Sequence, residues 1–184
     1  MHIEQSGTMN NEQSEVVKTL QFALKMEADG KEFYLNASHK SNNDLGRELF
    51  ERLAAEEDKH GQKFQEIFEV IKQKKSWPEI DIPSDTENIK TVFTRNIKLI
   101  DTTKMSASPQ EFDAIDTALD MENQSRKFYQ EQIQKTVYPA GKEFYQSLVA
   151  EERGHYLALT DYREYLSNPA AWYTAKEHPS LDGG

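Results

Sequence analysis

Apolar residues recur at steps of three and four along four long stretches of the chain, and each stretch reads as an amphipathic helix. From about Gln13 to Lys40 the repeat runs through Val16, Val17, Leu20, Ala23, Leu24, Phe33, Tyr34 and Ala37, with Gly30 the one residue that weakens it. Ser41-Asn42-Asn43-Asp44 offers a turn and a side-chain cap, and a second stripe follows through Phe50, Leu53, Phe64, Ile67 and Ile71. A third helix is expected from about Pro109 to Val137, with Pro109 tolerated in its first turn, and a fourth from about Pro139 to Leu166, stopped by Asn168-Pro169. Between the second and third, Trp77-Pro78 and Ile82-Pro83-Ser84 break any helix, and only a short amphipathic piece from about Glu87 to Ile100 follows. That connection far exceeds the ~2–8 residues that join neighbouring helices in bundles, so it predicts a crossover along the length of the molecule. The expected organisation is a flexible tail over 1–12, an all-α antiparallel four-helix bundle over 13–166, and a tail over 167–184 whose Trp172 and Tyr173 pack back on the bundle.

The second half repeats the first. Glu27 and Glu122, Glu57 and Glu152, and His60 and His155 are each 95 positions apart. Leu24-Lys25-Met26-Glu27 corresponds to Leu119-Asp120-Met121-Glu122, and Lys31, Phe33 and Tyr34 to Arg126, Phe128 and Tyr129. A helix pair cannot bury its apolar stripe alone, so two hairpins of one plan are expected to pack around a pseudo-two-fold axis.

Polar residues interrupt the inward stripes at matching places. The second helix presents Phe50, Leu53, Glu57, His60, Phe64, Ile67 and Ile71, and the fourth presents Tyr145, Leu148, Glu152, His155, Leu159, Tyr162 and Leu166. The first presents Leu20, Leu24, Glu27 and Tyr34, and the third Ile115, Leu119, Glu122 and Tyr129. Four carboxylates in one core repel one another, and each costs several kcal/mol to bury unpaired, so positive charge must sit among them. Two divalent cations supply it. Glu-x-x-His puts both side chains on one helix face, and a Glu from each of two helices with Glu-x-x-His from each of the other two is the ligand set of dinuclear carboxylate bundles. The competing reading is a buried salt-bridge network with Lys31 and Arg126; two matched copies, each with a partner glutamate 30 positions earlier (Glu27 before Glu57, Glu122 before Glu152), favour metal.

Charge and composition narrow the partners. With 22 Lys+Arg against 32 Asp+Glu among 184 residues, the net charge of −10 repels phosphate backbones and anionic lipid, and neither nucleic acid nor membrane is expected as a partner. The chain has no cysteine, which excludes disulfides, thiolate nucleophiles and Cys-ligated iron, so any metal is held by oxygen and nitrogen. A polar start and the lack of any apolar run of membrane-spanning length set the expected compartment as the cytoplasm.

Leu24 to Tyr34, Leu53 to His60 and their counterparts in the second half resemble the rubrerythrin branch of the ferritin-like di-iron carboxylate superfamily, over roughly residues 13–166. The resemblance implies a ferritin-like bundle with a long crossover between the hairpins and two iron ions, with manganese or zinc as alternatives. It implies that Glu57 and Glu152 bridge the ions, that Glu27 and Glu122 are terminal ligands, and that His60 and His155 complete one ion each. The chain departs from the family's pattern at Ser125, where an extra glutamate usually stands, and it lacks the cysteines of an appended rubredoxin-like domain. The implied activity is reduction of hydrogen peroxide, or of O2, by a non-haem di-iron oxidoreductase fed by an external donor such as a rubredoxin-like protein, in a homodimer. A ferroxidase of the iron-storage type, a manganese catalase-like enzyme and a metal-stabilised scaffold are the alternatives. Tyr34 and Tyr129, two turns beyond Glu27 and Glu122, are candidate catalytic residues that hydrogen-bond ligand carboxylates, with plain core packing as the other reading. Glu56 and Glu151 fall off the stripe and are expected in solvent or behind the ligands. Met26 and Met121 read as core filling, and His2, His39 and His178 as solvent-facing.

Overall fold

A computed structural model of the chain describes residues 11–74, 76–79 and 108–177. Five helices occupy the described residues: α1 (Asn11–Lys40), α2 (Asp44–Lys74), α3 (Pro109–Lys135), α4 (Pro139–Ser167) and α5 (Pro169–Glu177). The expected tail at 1–10, the Ile82-Pro83-Ser84 break, the amphipathic piece over 87–100 with its crossover, and the last residues 178–184 all lie outside the described residues.

Local chemistry sets the helix ends. Asn43 caps α2 by accepting the Leu45 N–H at 2.9 Å, and Ser108 caps α3 by accepting the Glu111 N–H at 3.1 Å, with Pro109 just inside the first turn. α1 starts at Asn11, so Asn11 and Glu12 belong to the helix rather than to the expected tail. α3 stops at Lys135, short of Val137, because Tyr138 precedes Pro139 and must be extended. Thr136 Oγ1 accepts the Tyr138 N–H at 3.3 Å in the resulting turn. The expected C-terminal tail is a helix in its first part. Asn168 ends α4 by donating its N–H to Glu164, then opens α5 by accepting the Ala171 N–H on its own side chain at 3.0 Å. Trp172 of α5 sets its ring edge against Tyr165 and donates Nε1–H to Asp161 at 2.9 Å.

α1 packs along α2 and α3 along α4, forming two hairpins. Aromatic side chains cross between them: Phe22 meets Phe128 at 5.0 Å, Phe64 stacks on Tyr129 at 5.8 Å, and Phe50 meets Tyr162 edge-on at 6.2 Å. The core divides into two apolar clusters, one around Leu49, Phe50, Leu159 and Tyr165, the other around Leu20, Phe64, Ile67 and Tyr145. On α2, Glu57 and His60 fall between Leu53 of the first cluster and Phe64 of the second; on α4, Glu152 and His155 fall between Leu148 and Leu159. A polar layer therefore separates two apolar ones. The α2 and α4 stripes are buried at every expected position, while Leu24 and Leu119 are only partly buried. The smaller Ala23 and Ala118 take the innermost places beside them, with no exposed surface. No helix among the described residues is long and apolar enough to cross a membrane.

Candidate metal centre

Each hairpin delivers three of the six polar side chains: Glu27, Glu57 and His60 from the first, Glu122, Glu152 and His155 from the second. All six are buried. Their ligand-type atoms form two groups, Glu27, Glu57, His60, Glu152 and Glu57, Glu122, Glu152, His155, and within each group the atoms lie within 4.8 Å of one another. Glu57 and Glu152 belong to both groups, one oxygen to each side. Glu57 Oε2 and Glu152 Oε1 lie 3.8 and 3.6 Å from His60 Nδ1, while Glu57 Oε1 and Glu152 Oε2 lie 3.7 and 3.6 Å from His155 Nδ1. Glu27 Oε2 faces His60 Nδ1 at 3.3 Å and Glu122 Oε2 faces His155 Nδ1 at 3.5 Å. The two imidazoles stack at 5.8 Å.

Tyrosines exchanged between the hairpins hold the outer carboxylates. Tyr34 OH donates to Glu122 Oε1 and Tyr129 OH donates to Glu27 Oε1. Each bond fixes one oxygen and turns the other inward. The inward atoms are left without partners: Glu27 Oε2, Glu122 Oε2, both oxygens of Glu152, and Nδ1 of both histidines are buried and make no hydrogen bond. Unpartnered buried acceptors converging on one space are the donor set that hard or borderline divalent cations require.

No lysine or arginine among the described residues relieves the crowding. Lys31 pairs with Asp58 at 2.6 Å on the surface, and Arg126 donates to Asn123 and lies over the Tyr156 ring at 5.7 Å, which removes the salt-bridge alternative. Protons take up the charge instead. Burial and the Glu57 charge push Glu27 well above the usual carboxylate range, and burial with the Glu122 and Glu57 charges does the same to Glu152. Burial alone would raise Glu57 as well, but the close approach of His60 and Glu27 and the charge of both histidines outweigh it and hold Glu57 at about 2. For the histidines, burial alone would favour the neutral ring. Glu151 and Glu27 around His60, and Glu122 and Glu152 around His155, win and push both well above the usual imidazole value. Cations entering this cluster displace these protons.

Gly30 of α1 lies against the Glu57 carboxylate, where an added methyl group would sit 3.4 Å from Cδ in van der Waals contact. Ser125, three residues past Glu122, is half-buried and outside both groups. Met26 and Met121 are half-buried, and His39 is exposed; His2 and His178 lie outside the described residues. Glu56 is partly buried and accepts from Lys59 at 3.1 Å. Glu151 is buried and bonds His60 Nε2 at 2.6 Å. Glu151 leaves the α4 stripe one position before Glu152 and lies behind a histidine of the cluster, one of the two places expected of it. An open cavity of about 770 Å³ is lined by Val16, Phe22, Trp77, Gln132 and Tyr145 among others, and none of the six polar residues faces it.

A second buried carboxylate escaped the sequence reading. Glu111 accepts from Ser41 Oγ at 2.7 Å and from Tyr162 OH at 2.8 Å, through the same oxygen. Ser108-x-x-Glu111 has the form of a capping box, which sends the glutamate back over the helix start; here its side chain turns into the core.

The fold and cluster define a helical bundle with a buried glutamate–histidine cluster that could hold metal. A comparison with protein families matches Rubrerythrin over residues 18–162, so the chain belongs to the rubrerythrin family of the ferritin-like di-iron carboxylate superfamily. Neither the curated proteins nor the solved structures contain a match.

Proposed function

We propose that the six residues hold two iron ions and that the protein reduces hydrogen peroxide to water with electrons from an external donor. Glu57 and Glu152 would be shared by the two ions, Glu27 and Glu122 would each hold one, and His60 and His155 would each ligate one ion through Nδ1. The observation that supports this most is the sharing of Glu57 and Glu152 by both ligand groups, each with one oxygen toward either histidine. Two ferrous ions held there would supply one electron each, and that pair together with two protons converts one hydrogen peroxide into two waters.

The chain's own groups do the rest. Four carboxylates balance the charge of two divalent ions, and the apolar clusters on either side of the polar layer keep bulk water away. Tyr34 and Tyr129 orient the terminal carboxylates and are the nearest hydroxyls to them. Burial and the Glu122 charge push the Tyr34 phenol well above its usual value, so it keeps its proton at neutral pH and remains a donor. The 184 residues hold no cysteine and so no Cys-ligated iron of their own, and a rubredoxin-like protein is the proposed electron donor.

Anaerobic stopped-flow mixing of the Fe(II)-loaded protein with peroxide tests the proposal. Oxidation by peroxide much faster than by air-saturated buffer is expected. Indifference to peroxide, with turnover of excess Fe(II) by O2 in a many-subunit shell, would replace it with ferroxidase storage.

A further inference from the structure

The hairpins repeat each other, yet their two histidines are not held alike. His60 Nε2 lies 2.6 Å from Glu151 Oε2, and Glu151 is 4% exposed although it belongs to no ligand group. Its counterpart 95 positions earlier is Glu56, which reaches instead to Lys59 at 3.1 Å. Among the described residues, the carboxylates around His155 all face Nδ1. One residue in each hairpin accounts for the difference. Lys59 stands one turn beyond Glu56 and draws that carboxylate outward, whereas the residue one turn beyond Glu151 is Gly154, with no side chain to compete.

We propose that Glu151, by accepting a hydrogen bond from His60 Nε2, makes the subsite of Glu27, Glu57, His60 and Glu152 the tighter of the two. The divalent cations then load in order, the His155 subsite filling second and emptying first. The physical basis is the bond itself. A carboxylate on Nε2–H fixes the tautomer whose Nδ1 lone pair points at Glu27, Glu57 and Glu152, locks the ring plane, and makes the imidazole a stronger donor. His155 has the same Nδ1 environment without that anchor. Glu151 is thus a positioning residue acting through His60. The inference rests on the two-cation reading above.

Calorimetric titration of the metal-free 184-residue chain with cobalt(II), followed in parallel by visible absorption, tests it. Two ions per chain in two resolved steps are expected. Glu151→Gln and, more strongly, Glu151→Ala are expected to weaken the first step by ~10–100-fold, the range typical of partners behind metal-bound histidines. Glu56→Gln leaves both steps in place, and Lys59→Met, which releases Glu56 toward His155, strengthens the second. In the cobalt-loaded protein an exchange-protected, strongly shifted imidazole N–H resonance is expected, retained in Glu56→Gln and lost in Glu151→Ala; a merely structural role for Glu151 would leave it. Should Glu151→Ala fail to fold, Gly154→Lys draws Glu151 outward without removing it and must show the same loss. Two ions of equal affinity in the unmodified chain, an unchanged first step in the Glu151 variants, or an equal loss in Glu56→Gln would overturn the loading order. Uptake of fewer than two ions would overturn the two-cation reading with it.

Discussion

The molecule buries carboxylates in two places, and they are finished differently. Glu111 is 6% exposed, and two hydroxyls, from Ser41 of the α1–α2 turn and Tyr162 of α4, close on its Oε1. Gly46 seals the arrangement, since a Cβ there would lie 2.5 Å from Glu111 Oε1 and 2.8 Å from Ser41 Oγ. At the centre, Glu27, Glu122 and Glu152 are buried still more deeply but keep oxygens that no donor meets. Burial of a carboxylate alone therefore says little about function. An unmet acceptor aimed at others of its kind marks the place where a cation belongs.

The largest expected effect separates the two regions outright. Glu57→Ala removes an oxygen from both ligand groups and should abolish uptake of both ions, measured as metal per chain after reconstitution, whereas Glu111→Gln should retain both. Metal removal should expose the central charges as a pH dependence. In the metal-free chain Glu27 and Glu152 hold protons above the ordinary carboxylate value of 4.5, and His60 and His155 above the ordinary imidazole value of 6.5. The folded state binds more protons than the unfolded one, so these groups favour folding in weak acid. That support is lost as pH rises from 4.5 through and beyond 6.5, each unit of raised pKa being worth about 1.4 kcal/mol. Glu57 acts oppositely, contributing above 4.5 and losing its contribution as pH falls toward about 2. Melting temperatures with and without chelator across this range should diverge as pH rises, the metal-loaded protein losing its advantage as pH falls because protons compete with the ions for the same atoms.

Tyr129→Phe leaves Glu27 Oε1 without its donor and should lower metal affinity or peroxide turnover by ~10–100-fold while the chain still folds. In the finished region the effect falls on stability, and the effect on metal is the smallest. Gly46→Ala should cost ~1–3 kcal/mol in denaturant unfolding through overpacking and leave metal content unchanged.

The contrast also explains what could be read before the structure. In α2 the stripe from Phe50 to Ile71 has one period throughout, so Glu57 and His60 announce themselves by standing where aliphatics belong. The repeat then carries the same inference to Glu152 and His155. α5 escaped because Asn168-Pro169 reads as a stop; that one pair ends one helix and caps the next. Glu151 was legible only as a choice between solvent and a place behind the ligands, and its contact with His60 Nε2 falls under the second. Glu111 escaped because a serine three residues before a glutamate usually forms a surface cap, and only the approach of Ser41 and Tyr162 across the bundle makes burial favourable. Periodicity reveals residues on a stripe; residues whose partners come from another helix need the packing itself.

Anomalous X-ray diffraction at the iron edge from crystals of the iron-loaded protein tests the central claim most directly. Two peaks are predicted inside the polar layer, one beside His60 and one beside His155, with Glu57 and Glu152 between them. A single peak, or iron bound only outside that layer, would contradict the account.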